Sequence, residues 1–117
     1  MPNTLDRDSA TVIATIPAGA ALSNVIDFSP FALGGLIMPP TWTAAALAFK
    51  VSTDKINFVP LNVATGTLLE LATPAVSEAR PLPDELAAFP FFMLWSETAG
   101  SDVPQSVDAP IVLVLKS

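Results

Sequence analysis

The sequence predicts an all-β domain, an antiparallel sandwich or barrel with at most one or two short helical turns. Three observations carry this. Twelve prolines in 117 residues recur at short intervals along the chain, which leaves little room for a long helix. Residues 45–52 (AALAFKVS) place Leu47, Phe49 and Val51 on one side of an extended chain and Ala46, Ala48 and Lys50 on the other, the period of a half-buried strand. Short apolar runs bounded by proline, glycine and serine recur through the rest of the sequence, the spacing expected of a β-sandwich or barrel.

The elements follow in order. Residues 9–16 (SATVIATI) are rich in β-branched side chains and end at Pro17-Ala18-Gly19, a strand with its stop signal. Residues 23–28 (SNVIDF) form a second strand, closed by Ser29-Pro30, and residues 32–38 (ALGGLIM) a third. The glycine pair in the third predicts a bulge or the close approach of another backbone. After 45–52, Thr53-Asp54-Lys55 turns the chain into residues 57–63, which Pro60 interrupts, and residues 67–71 (TLLEL) follow Gly66. Residues 83–88 (PDELAA) predict a short helix with acids in its first turn and Pro90 as its stop. Residues 91–96 (FFMLWS) and 111–116 (IVLVLK) are apolar on both faces. Such strands are covered on both sides, by their own chain or by a subunit interface. Residues 1–8 read as an N-terminal arm and 9–117 as the β domain.

Composition narrows the function. The chain has no Cys, no His and no Tyr, so a thiol nucleophile, an imidazole base, a disulfide framework and a zinc knuckle are all excluded. Enzyme activity is not expected, nor a cofactor. Five basic residues, scattered at Arg7, Lys50, Lys55, Arg80 and Lys116, against eleven acidic ones give a net charge of −6. That disfavours nucleic acid and an anionic membrane as partners. The longest charge-free stretch, 28–49, is broken by Ser29-Pro30, Gly34-Gly35 and Pro39-Pro40, so it predicts no membrane-spanning helix. The N-terminus lacks the apolar run of a signal peptide, and a soluble, non-exported chain is expected.

Paired polar residues are the first candidates for a site. Asp6 and Asp8 are too sparse for a calcium loop. Asp84 and Glu85 are adjacent in a helical turn and cannot face each other across a substrate bond. Asp54, Asn57 and Phe58 could edge a sugar site, but Asp and Asn at a hairpin turn more often cap the local backbone. No metal site is expected. What stands out is apolar surface. Hydrophobic residues make up 51% of the chain and charged ones 14%, against about 25% charged in an ordinary domain. So little charge leaves apolar patches that need a partner. The candidate interface residues are Trp42, which follows Pro39-Pro40-Thr41, with Phe91, Met93 and Trp95 of one doubly apolar strand and Val112 and Val114 of the other, because neighbours along a strand cannot all enter one core.

Several segments also resemble a known group. The stretches IDFSPF (26–31), LIMPPTWT (36–43) and LAFKVSTDKIN (47–57) precede the acidic turn near Pro83 and the last strand IVLVLK. Together they resemble small proteins encoded among the structural genes of tailed bacteriophages, with their I-D-x-S-x-F, M-P-x-x-W-T and S-x-D-G-x-x-F segments. The turn glycine of the last pattern is absent here, where Lys55-Ile56 follows Asp54. The resemblance implies a virion component with a jelly-roll-like sandwich. Within that group the acidic, cysteine-free, apolar-rich chain suits a capsid decoration (cement) protein, a homotrimer on the outer surface of the head bound to the major capsid protein and made in the bacterial cytoplasm. The alternative is a tail, neck or fibre component with a carbohydrate-binding role.

Overall fold

The computed structural model describes residues 9–117, so the proposed arm at 1–8 lies outside the described residues. Ten strands form two antiparallel sheets: β1 (Ser9–Ile16), β2 (Ile26–Asp27), β3 (Leu33–Ile37), β4 (Ala46–Ser52), β5 (Val59–Pro60), β6 (Glu70–Leu71), β7 (Ala79–Pro81), β8 (Phe91–Thr98), β9 (Ser101–Asp102) and β10 (Ala109–Lys116). Among the described residues the helical content is one 3₁₀ helix, Asp84–Ala88, where the acidic turn was expected.

Sheet I has the order β1-β10-β3-β7; sheet II has β2-β8-β4-β5, with β6 also on β4 and β9 on β8. The first strand lies beside the last, and the second beside β8. With both sheets antiparallel, this is jelly-roll order. The core fills the space between the sheets. From sheet I come Ala14, Ile16, Leu36, Ile111, Leu113 and Leu115; sheet II adds Leu47, Phe49, Val51, Phe92 and Leu94. Phe92 packs edge-on against both Phe28 and Phe49, with ring centroids 5.5 and 6.2 Å apart, a favoured aromatic geometry. The predicted alternation of β4 holds, with Leu47, Phe49 and Val51 all turned inward and buried.

The glycine pair of β3 has a steric reason. A Cβ on Gly34 would sit 2.6 Å from the carbonyl oxygen of Val114 on β10, closer than any side chain tolerates, so β3 can lie this tightly on β10 only with glycine there. Gly35 has ordinary room, 3.4 Å from the Arg80 carbonyl oxygen. A second close-fitting device is the buried Gln105. Its Oε1 accepts from the Thr43 amide at 2.8 Å, and its Nε2 donates to the Thr43 carbonyl (3.1 Å) and to Ser96 Oγ (2.9 Å). One side chain thereby ties the loop before β10 to the entrance of β4 and to β8, with its polar atoms satisfied.

Candidate functional site

The outward residues of sheet I follow from its register. One row across the sheet is Ile13, Val112, Ile37 and Ala79; the next is Thr11, Val114, Gly35 and Pro81. A third brings Leu33 beside Lys116. Because alternate residues of a strand share a face, these rows lie on the side away from the core. Ile13 is 54% exposed, and Leu33 and Ile37 44% each; Val112 and Val114 are half-buried between the two flanking strands. The face is therefore a ridge of Ile13, Val112 and Ile37 beside a furrow where glycine and proline replace bulk. A shallow groove of about 400 Å³ opens there, lined by Gly35, Ile37, Ala79, Arg80, Pro81 and Val114.

Among the described residues, charge on this face is confined to the rim. Lys116 stands at one end of the face. Arg80 edges the groove, where its Nε lies 3.2 Å from Glu78 Oε1 and its Nη1 donates to the Ala72 carbonyl at 2.9 Å. Glu78 is held below the usual carboxylate range, chiefly by the Ala75 amide and then by Arg80. The face thus has an apolar centre and a polar rim, on which Arg80 is paired with Glu78.

Val112 and Val114 belong to this face, but the other candidate interface residues lie elsewhere. Trp42 is half-buried against the main core, and its Nε1 donates to the Ala45 carbonyl at 3.3 Å. Phe91, Met93 and Trp95 point to the outer side of sheet II, where this chain supplies cover. Trp95 is 5% exposed, in a small cluster with Ala21 and Ala48 that Leu22 and Leu68 flank. Its Nε1 donates to Asp102 Oδ1 at 2.8 Å, and the Lys50 ammonium sits 4.7 Å from its ring centroid. Lys55 sits 4.9 Å over Phe91 in the same way, a cation–π placement. Met93 is half-buried.

The polar groups weighed as sites are engaged locally. Asp54 accepts from the amides of Ile56 and Asn57, from Asn57 Nδ2 and from Ser52 Oγ, all at 2.9 Å. These bonds, the Asn57 and Ile56 amides foremost, hold its carboxyl far below the ordinary range. Phe58 beside it is half-buried. Asp84 and Glu85 are exposed in the first turn of the 3₁₀ helix. Asp6 and Asp8 lie outside the described residues. Composition and strand pattern alone do not single out Ile13, Leu33 and Ile37. Their signal was the parity of Ile13 and Ile37, which register then sets beside Val112.

No family model matches the chain, and no curated protein is similar to it in sequence. Among solved structures, the crystal structure of the SPBc2 prophage-derived protein YomS has the same fold. It matches with a TM-score of 0.66 over 100% of both chains, at 10% sequence identity. A likeness of this degree establishes the β-sandwich.

Proposed function

We propose that this chain is a structural protein of a tailed-phage virion, a cement protein that docks through the open face of sheet I onto the major capsid protein on the outside of the head. The observation that carries the reading is that face, with Ile13, Leu33 and Ile37 exposed in one apolar surface beside Val112 and Val114. The prophage origin of YomS supports a phage setting, and the net charge of −6 favours a site away from packaged DNA.

The size of the face bears on how it works. Four strands spaced about 4.8 Å apart and some six residues long give about 400 Å². A standard stable interface takes about 800 Å² from each partner. One copy therefore docks weakly, and strength comes from many copies acting at once on a repeating lattice. Three copies meeting around a junction of capsid subunits form the trimer on the shell. The tail or fibre reading with a carbohydrate site gains no support from Asp54, whose acceptors serve its own turn.

The test is to delete the gene and compare particles. Heads should assemble but burst more readily on heating or loss of salt. Added wild-type protein should restore them, whereas Ile37→Asp, which places a charge at the centre of the face, should not. Intact, heat-resistant heads whose tails fail to adsorb would move the protein to the tail. Its absence from purified wild-type particles, by mass spectrometry, would end the virion reading.

A further inference from the structure

The outer side of sheet II carries a group with no part in the docking face. Glu97 on β8 is fully buried. Its Oε1 accepts from the Gly100 amide at 2.8 Å, in the two-residue turn that joins β8 to β9. Its Oε2 is buried with no hydrogen-bond partner. An ionised carboxylate left this way is strongly disfavoured.

The register shows what lies beside it. On β4, Ala46 pairs with Glu97 of β8, and Ala48 pairs with Glu70 of β6 on the opposite side. Because all four residues point to one face and the two on the middle strand are alanines, both glutamates can reach across them. The Glu70 carboxyl is near enough to add, after burial, to the push that raises Glu97. Two carboxylates this close cannot both stay ionised without a proton or a cation between them. The other charged residues of the four strands are otherwise engaged: Asp102 of β9 accepts from Trp95 Nε1, and Lys50 of β4 lies over the Trp95 ring.

We propose that Glu97 and Glu70 share a single proton across Ala46 and Ala48, forming a carboxyl–carboxylate latch that holds β6 against β4. Glu97, the buried partner, holds the proton and donates it from Oε2; Glu70, exposed to water, accepts. Burial, then the Glu70 carboxyl, raises Glu97 above its ordinary value of 4.5. A group whose pKa is higher in the folded state stabilises the fold most below the unfolded value, and that contribution is lost as pH rises through the folded value. The latch is thus closed in weak acid and opens on the alkaline side, where Glu97 must ionise beside Glu70.

The full-length protein tests this by thermal melting between pH 4.5 and 8, wild type against Glu97→Gln. The glutamine amide can donate to Glu70 at every pH. The wild-type Tm should therefore fall by several degrees relative to the variant as pH rises, with faster hydrogen exchange at the β6 amides in wild type alone. Carboxyl carbon NMR of the wild type should show Glu97 titrating above 4.5, a readout that decides the matter even where Glu97→Gln fails to fold. Parallel melting curves for the two proteins, or titration of Glu97 at or below 4.5, would overturn the latch. A wild-type Tm at pH 7.5 that calcium raises and a chelator lowers again would also overturn it, replacing the proton with a bridging ion.

Discussion

The outer faces of the two sheets begin from the same sequence pattern and end differently. β8 and β10 are each apolar on both sides. On sheet II the outward residues are covered by the chain itself. Residues 21–23 pair along the edge of β8, with the Ser23 amide donating to the Leu94 carbonyl at 3.0 Å and Leu94 N donating to Ser23 Oγ at 2.9 Å, and Leu22 packs against the Trp95 cluster. Residues 53–72 bring Lys55 and Leu68 over the same side. On sheet I the outward residues of β10, Val112 and Val114, are half-buried, and Ile13, Leu33 and Ile37 on the strands beside it remain open. A doubly apolar strand thus has two outcomes, and the excursions between strands decide which one occurs. Cover that a chain supplies to itself contributes to folding; a face left open is available for binding.

The comparison breaks most easily at Trp95. Trp95→Ala removes a side chain packed by its own chain, with its hydrogen bond and its cation–π contact, and should cost about 3–5 kcal/mol. Val112→Ala on the open face should cost about 1 kcal/mol, since half of its burial is missing. Urea unfolding measures both. Equal losses would mean that the two faces are covered alike.

A smaller effect separates the neighbouring glycines of β3. Gly34→Ala drives a methyl into the Val114 carbonyl, which backbone alone can relieve, and should cost about 1–3 kcal/mol. Gly35→Ala meets only ordinary contact and should change stability by less than about 1 kcal/mol. It does add bulk to the furrow, so under the proposed docking role it should weaken binding to particles while leaving the melt nearly unchanged. A Gly35→Ala variant that decorates particles normally would place the contact along the Ile13–Val112–Ile37 ridge alone.

Much of this architecture was legible in the sequence, for stated reasons. β1, β4 and β10 are long enough for alternation to show, and each appears within a residue or two of its expected bounds. The expected strand at 23–28 shrinks to Ile26–Asp27 because Ser23 bonds to β8 partly through its hydroxyl. The strands Ala79–Pro81 and Ser101–Asp102 are not legible, because segments of three and two residues, one holding a proline and the other the turn residues serine and aspartate, show no period. The jelly-roll order came from the resemblance, because pairing over such distances leaves no local trace. Nor did Glu70 and Glu97 stand out. They are distant in sequence, and only their common neighbour β4 brings them together.

The smallest effect tests how the cover over sheet II is held. Lys55 adopts a left-handed backbone conformation, φ 68°, at the turn where the phage pattern has glycine. Its amide donates to Ser52 Oγ at 3.0 Å, its ammonium lies over Phe91, and its charge helps to lower the pKa of Asp27, an effect secondary to the Ser29 hydrogen bonds. Lys55→Gly relieves a strain of about 1 kcal/mol. Against that, it gives up about 0.5–1 kcal/mol of cation–π attraction at an exposed site and adds flexibility to the unfolded chain. The opposing terms should nearly cancel, leaving a change within about 0.5 kcal/mol. Repeating the substitution in a Phe91→Ala background isolates the contact: with the ring gone, Lys55→Gly should become more favourable by the lost attraction. An identical effect in both backgrounds would show that Lys55 contributes no cover to Phe91, and that this corner of sheet II is as open as the face of sheet I.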